Sequence, residues 1–263
     1  SRIVYFLRYM QHFFSFKNVF QPKLFTTLHQ YNKQQLVQDI VAGMIVAVVA
    51  IPLAIAFGLG LDFSVPHGTL VVDIGAGTTD VAVISMGGIA ACDSFKTASF
   101  DIDAQIIKYV RKEFNIEIGP LTAEEIKIKV GSAIPRDIEI AMVAKGRNIF
   151  SGLPESFEIT SGEVYEAIKD TLDTICNAIR LVLNKTDPDL VADVMNDGLY
   201  LAGGGSKLNG FAQKIEEYLG IKVHQMEDPA HSVVKGAAVA LKKSELLKNV
   251  DYQLRSIKEL EFE

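Results

Sequence analysis

Val71-Val72-Asp73-Ile74-Gly75-Ala76-Gly77-Thr78-Thr79-Asp80 is the stretch from which the rest of the chain is read. A buried-strand signal, Leu70-Val71-Val72, runs into an acidic residue and then a glycine-rich turn carrying two hydroxyls. The next five residues, Val81-Ala82-Val83-Ile84-Ser85, are again rich in β-branched side chains and read as a second strand. Glycine-rich loops of the dinucleotide-binding and Walker types lead from a strand into a helix. A glycine turn that closes a hairpin is neither. It can still hold phosphate: Gly75 and Gly77 let backbone N–H groups approach an anion without a Cβ in the way. Thr78 and Thr79 add hydroxyl donors, and Asp73 can hold a metal-bound water. Taken alone, the same residues also suit a plain hairpin with a glycine turn.

The 263 residues leave room for one or two domains with a sizeable core. The composition is that of a globular protein with an apolar excess: 49% hydrophobic, mean hydropathy +0.22, net charge −6. Charge is unevenly spread. Residues 1–62 hold five basic side chains (Arg2, Arg8, Lys17, Lys23, Lys33) against Asp39 and Asp62, a surplus of three positive charges. The remainder therefore carries −9, which argues against a nucleic-acid partner. Cys92 and Cys176 show neither metal-ligand spacing nor a disulfide framework. Five scattered histidines suggest no metal site.

Residues 1–34 are basic and aromatic-rich (Tyr5, Phe6, Tyr9, Phe13, Phe14, Phe16, Phe20, Phe25), a composition suited to a membrane interface or to a partly buried helix. From Ile40 to Leu61 there is no charge, a run long enough to cross a hydrocarbon core as a helix, with Pro52 as a kink. It starts too far in, and is too long, for a signal peptide. With its lead-in, Tyr31-Asn32-Lys33-Gln34-Gln35-Leu36-Val37-Gln38-Asp39, this stretch resembles the first membrane segment of SulP-family anion transporters over about residues 1–58. One helix cannot form a transport pathway. The expected division is therefore 1–62, carrying a membrane-type helix at 40–61, and 63–263, a soluble lobe.

Within the lobe, Gly87-Gly88 is expected to turn the chain into a third strand, Ile89 to Phe95. A helix comes next, with Ile102, Ile106, Ile107, Tyr109 and Val110 on one face. Thr122-Ala123-Glu124-Glu125 has the form of a capping box opening a short helix that stops near Gly131. Residues 138–144 and 156–160 alternate as strands around a turn at Lys145-Gly146-Arg147-Asn148. Thr160-Ser161-Gly162-Glu163 is a second capping box, opening a long helix with Val164, Ile168, Leu172, Ile175, Ile179 and Leu183 on one face. A short helix from Asp189 to Met195, a strand Leu199-Tyr200-Leu201, a helix from about Leu208 to Leu219, a strand Ile221-Lys222-Val223 and a closing helix Val233–Leu247 complete the chain. Gly203-Gly204-Gly205 stands between strand and helix, where bare backbone can face an anion, or simply turn.

Asp73-Ile74-Gly75-Ala76-Gly77-Thr78-Thr79-Asp80 resembles the second phosphate loop of the actin, sugar-kinase and heat-shock-chaperone ATPase superfamily. Its continuation through Met86-Gly87-Gly88-Ile89 resembles the MreB family of bacterial actin homologues. That resemblance covers about residues 60–245 and implies an α/β, ribonuclease-H-like lobe, the carboxy-terminal half of an actin-like ATPase. It implies ATP and Mg as cofactors. Asp73 takes the catalytic role and holds the metal through water, and Gly75, Ala76, Gly77 and Thr78 meet phosphate. Leu201-Ala202-Gly203-Gly204-Gly205-Ser206 is similar to the family's adenosine loop. Glu124-Glu125-Ile126-Lys127 is similar to its Glu-x-x-Lys pair, with Glu124 and Lys127 as ribose and purine ligands; apart from the resemblance, these two are an ordinary i,i+3 ion pair. Where the family has Gly-Gly-Asp before the connecting helix, this chain reads Ala98-Ser99-Phe100. The family's first phosphate loop and catalytic base have no counterpart here, so one wall of the cleft and no turnover by this chain alone are expected.

The function expected is that of a cell-shape cytoskeletal protein partnered by itself in a filament and by the membrane, with the lobe on the cytoplasmic side. The positive-inside rule disputes that side, since it keeps residues 1–39 in the cytoplasm. A true crossing with a non-functional lobe, a segment lying in or re-entering the membrane, and an unnatural join stay open. Two other classes compete: a fragment of a SulP-type sulfate transporter with an appended lobe, and a chimeric product binding no nucleotide.

Overall fold

The computed structural model describes residues 51–56 and 66–242, all within one compact unit. Strand β1 (Thr69–Ile74) pairs antiparallel with β2 (Thr79–Ser85), Asp73 opposite Asp80 and Ile74 opposite Thr79. The four residues between them, Gly75 to Thr78, form the expected glycine hairpin. Strand β3 (Gly88–Phe95) pairs antiparallel with β2 beyond a two-residue turn. The turn is Met86-Gly87, one residue earlier than the sequence suggests, and both residues have positive φ, 51° and 74°. Such a turn matches the right-handed twist of the paired strands.

Helix α1 (Ser99–Phe114) buries its Ile102, Ile106 and Val110 face in the main core, as the periodicity predicts. A short β4 (Ile116–Glu117) leads to helix α2 (Pro120–Lys129) and then to β5 (Ala141–Asn148) and β6 (Pro154–Thr160). These strands form a separate antiparallel sheet in the order β4-β5-β6. Helix α3 (Ser161–Lys185) begins at the predicted capping box. Thr160 N–H donates to Glu163 Oε2 at 2.8 Å and Glu163 N–H to Thr160 Oγ1 at 3.3 Å. The apolar face Val164, Ile168, Leu172, Ile175, Ile179 and Leu183 is buried throughout. Helix α4 (Pro188–Asp197) returns the chain to β7 (Leu199–Ala202), which lies parallel to β1. A 3-10 turn (Gly204–Lys207), helix α5 (Phe211–Leu219), β8 (Val223–Gln225, parallel to β7) and helix α6 (Ser232–Lys242) follow.

The main sheet has the order β3-β2-β1-β7-β8, three antiparallel strands continued by two parallel ones, as a ribonuclease-H-like lobe requires. Leu70 through Val72 and Val81 through Ile84 are buried without alternation, because the sheet is covered on both faces. Leu70, Val72, Ile74, Val81 and Val83 join the core of α1 and α3. Val71, Ile84 and Ala202 point the other way, and there they meet Leu53, Ile55 and Ala56 of the helical segment 51–56.

That contact corrects the reading of 40–61 as a membrane helix for the part that is described. Side chains sealed against a sheet cannot simultaneously face lipid. Among the described residues no helix is long and apolar enough to cross a membrane. Residues 40–50 and 57–61, the aromatic stretch 1–34 and the last turns expected of the closing helix, 243–247, lie outside the described residues.

Two local expectations also change. Helix α2 starts at Pro120 behind Gly119, not at Thr122, since proline suits the first helical position; Glu125 pairs with Lys129 at 2.6 Å instead of capping. Lys145–Asn148 continues β5, and the turn falls at 149–153. Gly146 is a packing residue: a Cβ there would run into the Ile116 side chain and lie 2.6 Å from the Glu117 carbonyl oxygen on β4.

Candidate functional site

The carboxyl ends of parallel neighbours β1 and β7 bring the two glycine segments together. Asp73 lies opposite Ala202, so the hairpin after β1 and the run Gly203-Gly204-Gly205 after β7 leave the sheet side by side. Their contact is too close for any side chain. Gly203 has φ 85°, and a Cβ on it would strike Asp73 Oδ1 and the Ile74 carbonyl. A Cβ on Gly205 would sit 2.7 Å from Ile74 Cγ2. Gly204 and Gly77, by contrast, face open space, with only the Phe100 ring edge 4.0 Å from where a Gly77 Cβ would be.

Within the hairpin, Gly75 N–H donates to the Thr78 carbonyl at 2.8 Å. The N–H groups of Ala76, Gly77 and Thr78 have no acceptor among the described residues, nor do those of Gly204 and Gly205. Five backbone donors thus sit on adjoining segments, four of them on the exposed residues Ala76, Gly77, Thr78 and Gly204. Such a set fits an anion with several oxygens, the chemistry of a polyphosphate. Two of the hairpin's carbonyls are tied to α1: Gly75 and Ala76 accept from Ser99 N–H (3.3 Å) and Phe100 N–H (2.8 Å). These are orphan donors of the first turn of α1, so hairpin and helix hold one another in place. Asp101 completes that helix end by accepting Ala98 N–H at 2.8 Å.

Asp73 lies at the base of this cradle. Burial, and secondarily the charge of Asp80 across the ladder, push its carboxyl up from the ordinary carboxylate range to about 6. Thr78 Oγ1 donates to Asp80 Oδ2 at 3.1 Å. Like charges placed directly opposite destabilise a sheet, and a divalent cation is the group that two such carboxylates suit. Asp80 is a candidate that the sequence motif alone does not single out; its cross-strand pairing with Asp73 is the signal that could have found it. Among the described residues no cluster of three or more His, Cys, Asp or Glu forms a metal site by protein ligands alone.

On α2, Glu124 is exposed and makes no ion pair among the described residues. Lys127 is turned inward, to Asp103 and Ser99 of α1. The Phe100 ring, where the family pattern has an acid, is largely exposed beside the hairpin.

The family model for MreB/Mbl protein matches residues 12–249. The cell shape-determining protein Mbl of Bacillus subtilis is 40% identical over 190 residues, 72% of this chain and 57% of that protein. The cell shape-determining protein MreB of Escherichia coli is 40% identical over 72% of this chain and 55% of its own length. A crystal structure of MreB5 of Spiroplasma citri bound to ADP superposes with a TM-score of 0.72 at 33% identity, covering 75% of this chain and 60% of that one. The chain thus spans under three-fifths of the curated relatives it matches. The family match begins at residue 12, inside the stretch that resembles a transporter, and none of these comparisons supports a transporter segment. With an actin-like α/β fold and a family match across nine-tenths of its length, the chain belongs to the MreB/Mbl protein family.

Proposed function

We propose that this chain is the nucleotide-binding lobe of a cell-shape-determining, actin-like cytoskeletal protein. It takes ATP or ADP with Mg at the hairpin Gly75–Thr78 and the run Gly203–Gly205. The observation that carries the reading is the contact of Gly203 with Asp73, which sets two glycine segments with free N–H groups around one space. The similarity to an ADP-bound MreB5 supports the choice of ligand. Asp73 and Asp80 would face the cation through water, and Glu124 the nucleoside. A single lobe excludes water from only one side of a polyphosphate, so affinity is modest and hydrolysis by this chain alone is absent. Self-association into a filament belongs to the same proposal. So does attachment to a membrane surface through the aromatic, basic residues 1–34, which flotation with anionic vesicles tests.

The test uses two positions with room for a side chain, Gly77 and Gly204. Gly77→Val and Gly204→Val preserve the fold by circular dichroism and weaken ATP–Mg binding to the full chain by about tenfold or more in calorimetric titration. Unchanged affinity in both variants overturns the proposed site.

A further inference from the structure

Lys127 is expected to touch the nucleotide, yet its ammonium is already committed. Its side chain is 11% exposed. Nζ donates to Ser99 Oγ at 2.7 Å and to Asp103 Oδ2 at 3.0 Å, with Asp103 Oδ1 at 2.9 Å. Two of its three N–H donors are taken by these hydrogen bonds, and Asp103 Oδ1, buried and without a hydrogen bond among the described residues, is held by charge alone. Asp103 is equally enclosed, its side chain 9% exposed. Burial raises its pKa while Lys127 opposes the rise, and the neighbouring charge of Glu124 adds to it. Withdrawing Lys127 toward a sugar would leave Asp103 as a buried carboxylate without its partner, the costly half of a broken ion pair.

The other end of the contact reaches the phosphate hairpin. Ser99, which receives Lys127 through its hydroxyl, gives its own N–H to the Gly75 carbonyl, and its neighbour Phe100 gives its N–H to Ala76. Helix α2, the first turn of α1 and the hairpin are thereby joined through one ammonium group. Glu124, one turn before Lys127 on α2, remains exposed and free of ion pairs among the described residues.

We infer that Lys127 is a positioning residue: through Ser99 and Asp103 it sets α2 and the phosphate hairpin in one arrangement, and Glu124 is the α2 group that meets the nucleoside. This role rests on the proposed nucleotide site and departs from the family resemblance in giving Lys127 no contact with ligand.

The experiment measures the full chain against two probes, ATP and inorganic tripolyphosphate, each with magnesium. Lys127→Met weakens both by the same factor, about tenfold, because its effect passes through the hairpin. Glu124→Gln weakens ATP alone. The pair Asp103→Asn with Lys127→Met removes the stranded charge together with its partner and returns tripolyphosphate affinity most of the way, and Lys127→Arg keeps both ligands. Loss of ATP with tripolyphosphate spared in Lys127→Met overturns the inference in favour of direct contact. Failure of the unaltered chain to bind either probe sinks the nucleotide reading instead. Amide hydrogen exchange then decides the positioning role without ligand: Lys127→Met speeds exchange at Gly75, Ser99 and Phe100 while leaving the interior of α3 unchanged. Equal exchange at those three amides overturns it.

Discussion

Replacing Ile55 by alanine separates a helix that belongs to the lobe from one that belongs to a bilayer. Ile55 is 0% exposed and lies among Val71, Ile84 and Ala202 on the sheet face opposite α1 and α3. Ile55→Ala removes three carbons from that contact, and substitutions of this kind cost roughly 2–5 kcal/mol. The site is a small satellite of the main core, bounded by partly buried Ile51, Met226 and Val233, so the surroundings can relax into part of the space. A value near the low end, about 2–3 kcal/mol, is expected. Urea unfolding of the full chain, followed by far-ultraviolet circular dichroism, measures it, with Val234→Ala as control because Val234 is 70% exposed. The control moves stability by less than about 0.5 kcal/mol. An Ile55→Ala change as small as the control's would refute the packing and return residues 51–56 to the membrane reading.

Three further outcomes rest on particular contacts. Asp73 has a folded-state pKa raised to about 6 from 3.8, so its contribution to stability is full below about pH 4 and is lost as pH rises through 6. Asp73→Asn therefore stabilises the ligand-free chain at pH 7.5, by up to about 3 kcal/mol, and flattens the stability profile between pH 4 and 6; destabilisation at pH 7.5 contradicts this. Thr160→Ala removes the hydroxyl that accepts Glu163 N–H and lowers stability by about 1 kcal/mol in the same unfolding assay. Met86→Asn keeps the left-handed conformation of an exposed turn residue with φ 51° while substituting a side chain that tolerates it, and raises the thermal midpoint by a few degrees.

The hairpin is legible in the sequence because its signals are local: apolar β-branched runs on either side of Gly75-Ala76-Gly77 leave no helix-forming alternative. The capping box at Thr160 and the buried stripe of α3 are legible for the same reason. Misread features depend on partners far along the chain. Gly146 looks like a turn residue until β4 is laid against β5, where Ile116 and Glu117 leave no room for a Cβ. Thr122-x-x-Glu125 matches a capping pattern, but Pro120 two residues earlier starts the helix. An uninterrupted apolar segment is buried, and composition does not say whether in lipid or against protein; Leu53, Ile55 and Ala56 find protein. At the site, the family resemblance puts Asp73 and both glycine segments on adjoining loops. The inward turn of Lys127 cannot be read in this way, because Asp103 and Ser99 lie 24 and 28 residues away and only the packing of α1 on α2 brings them to it.

Nucleotide binding between the two glycine segments is tested most directly by an ADP titration followed by amide nuclear magnetic resonance on the isotope-labelled full chain. Saturable shifts are expected at Ala76, Gly77, Thr78, Gly204 and Gly205, whose N–H groups have no acceptor among the described residues, with smaller changes at Gly75 and Ser99. Shifts confined to other surfaces, or none at millimolar ADP, would contradict it.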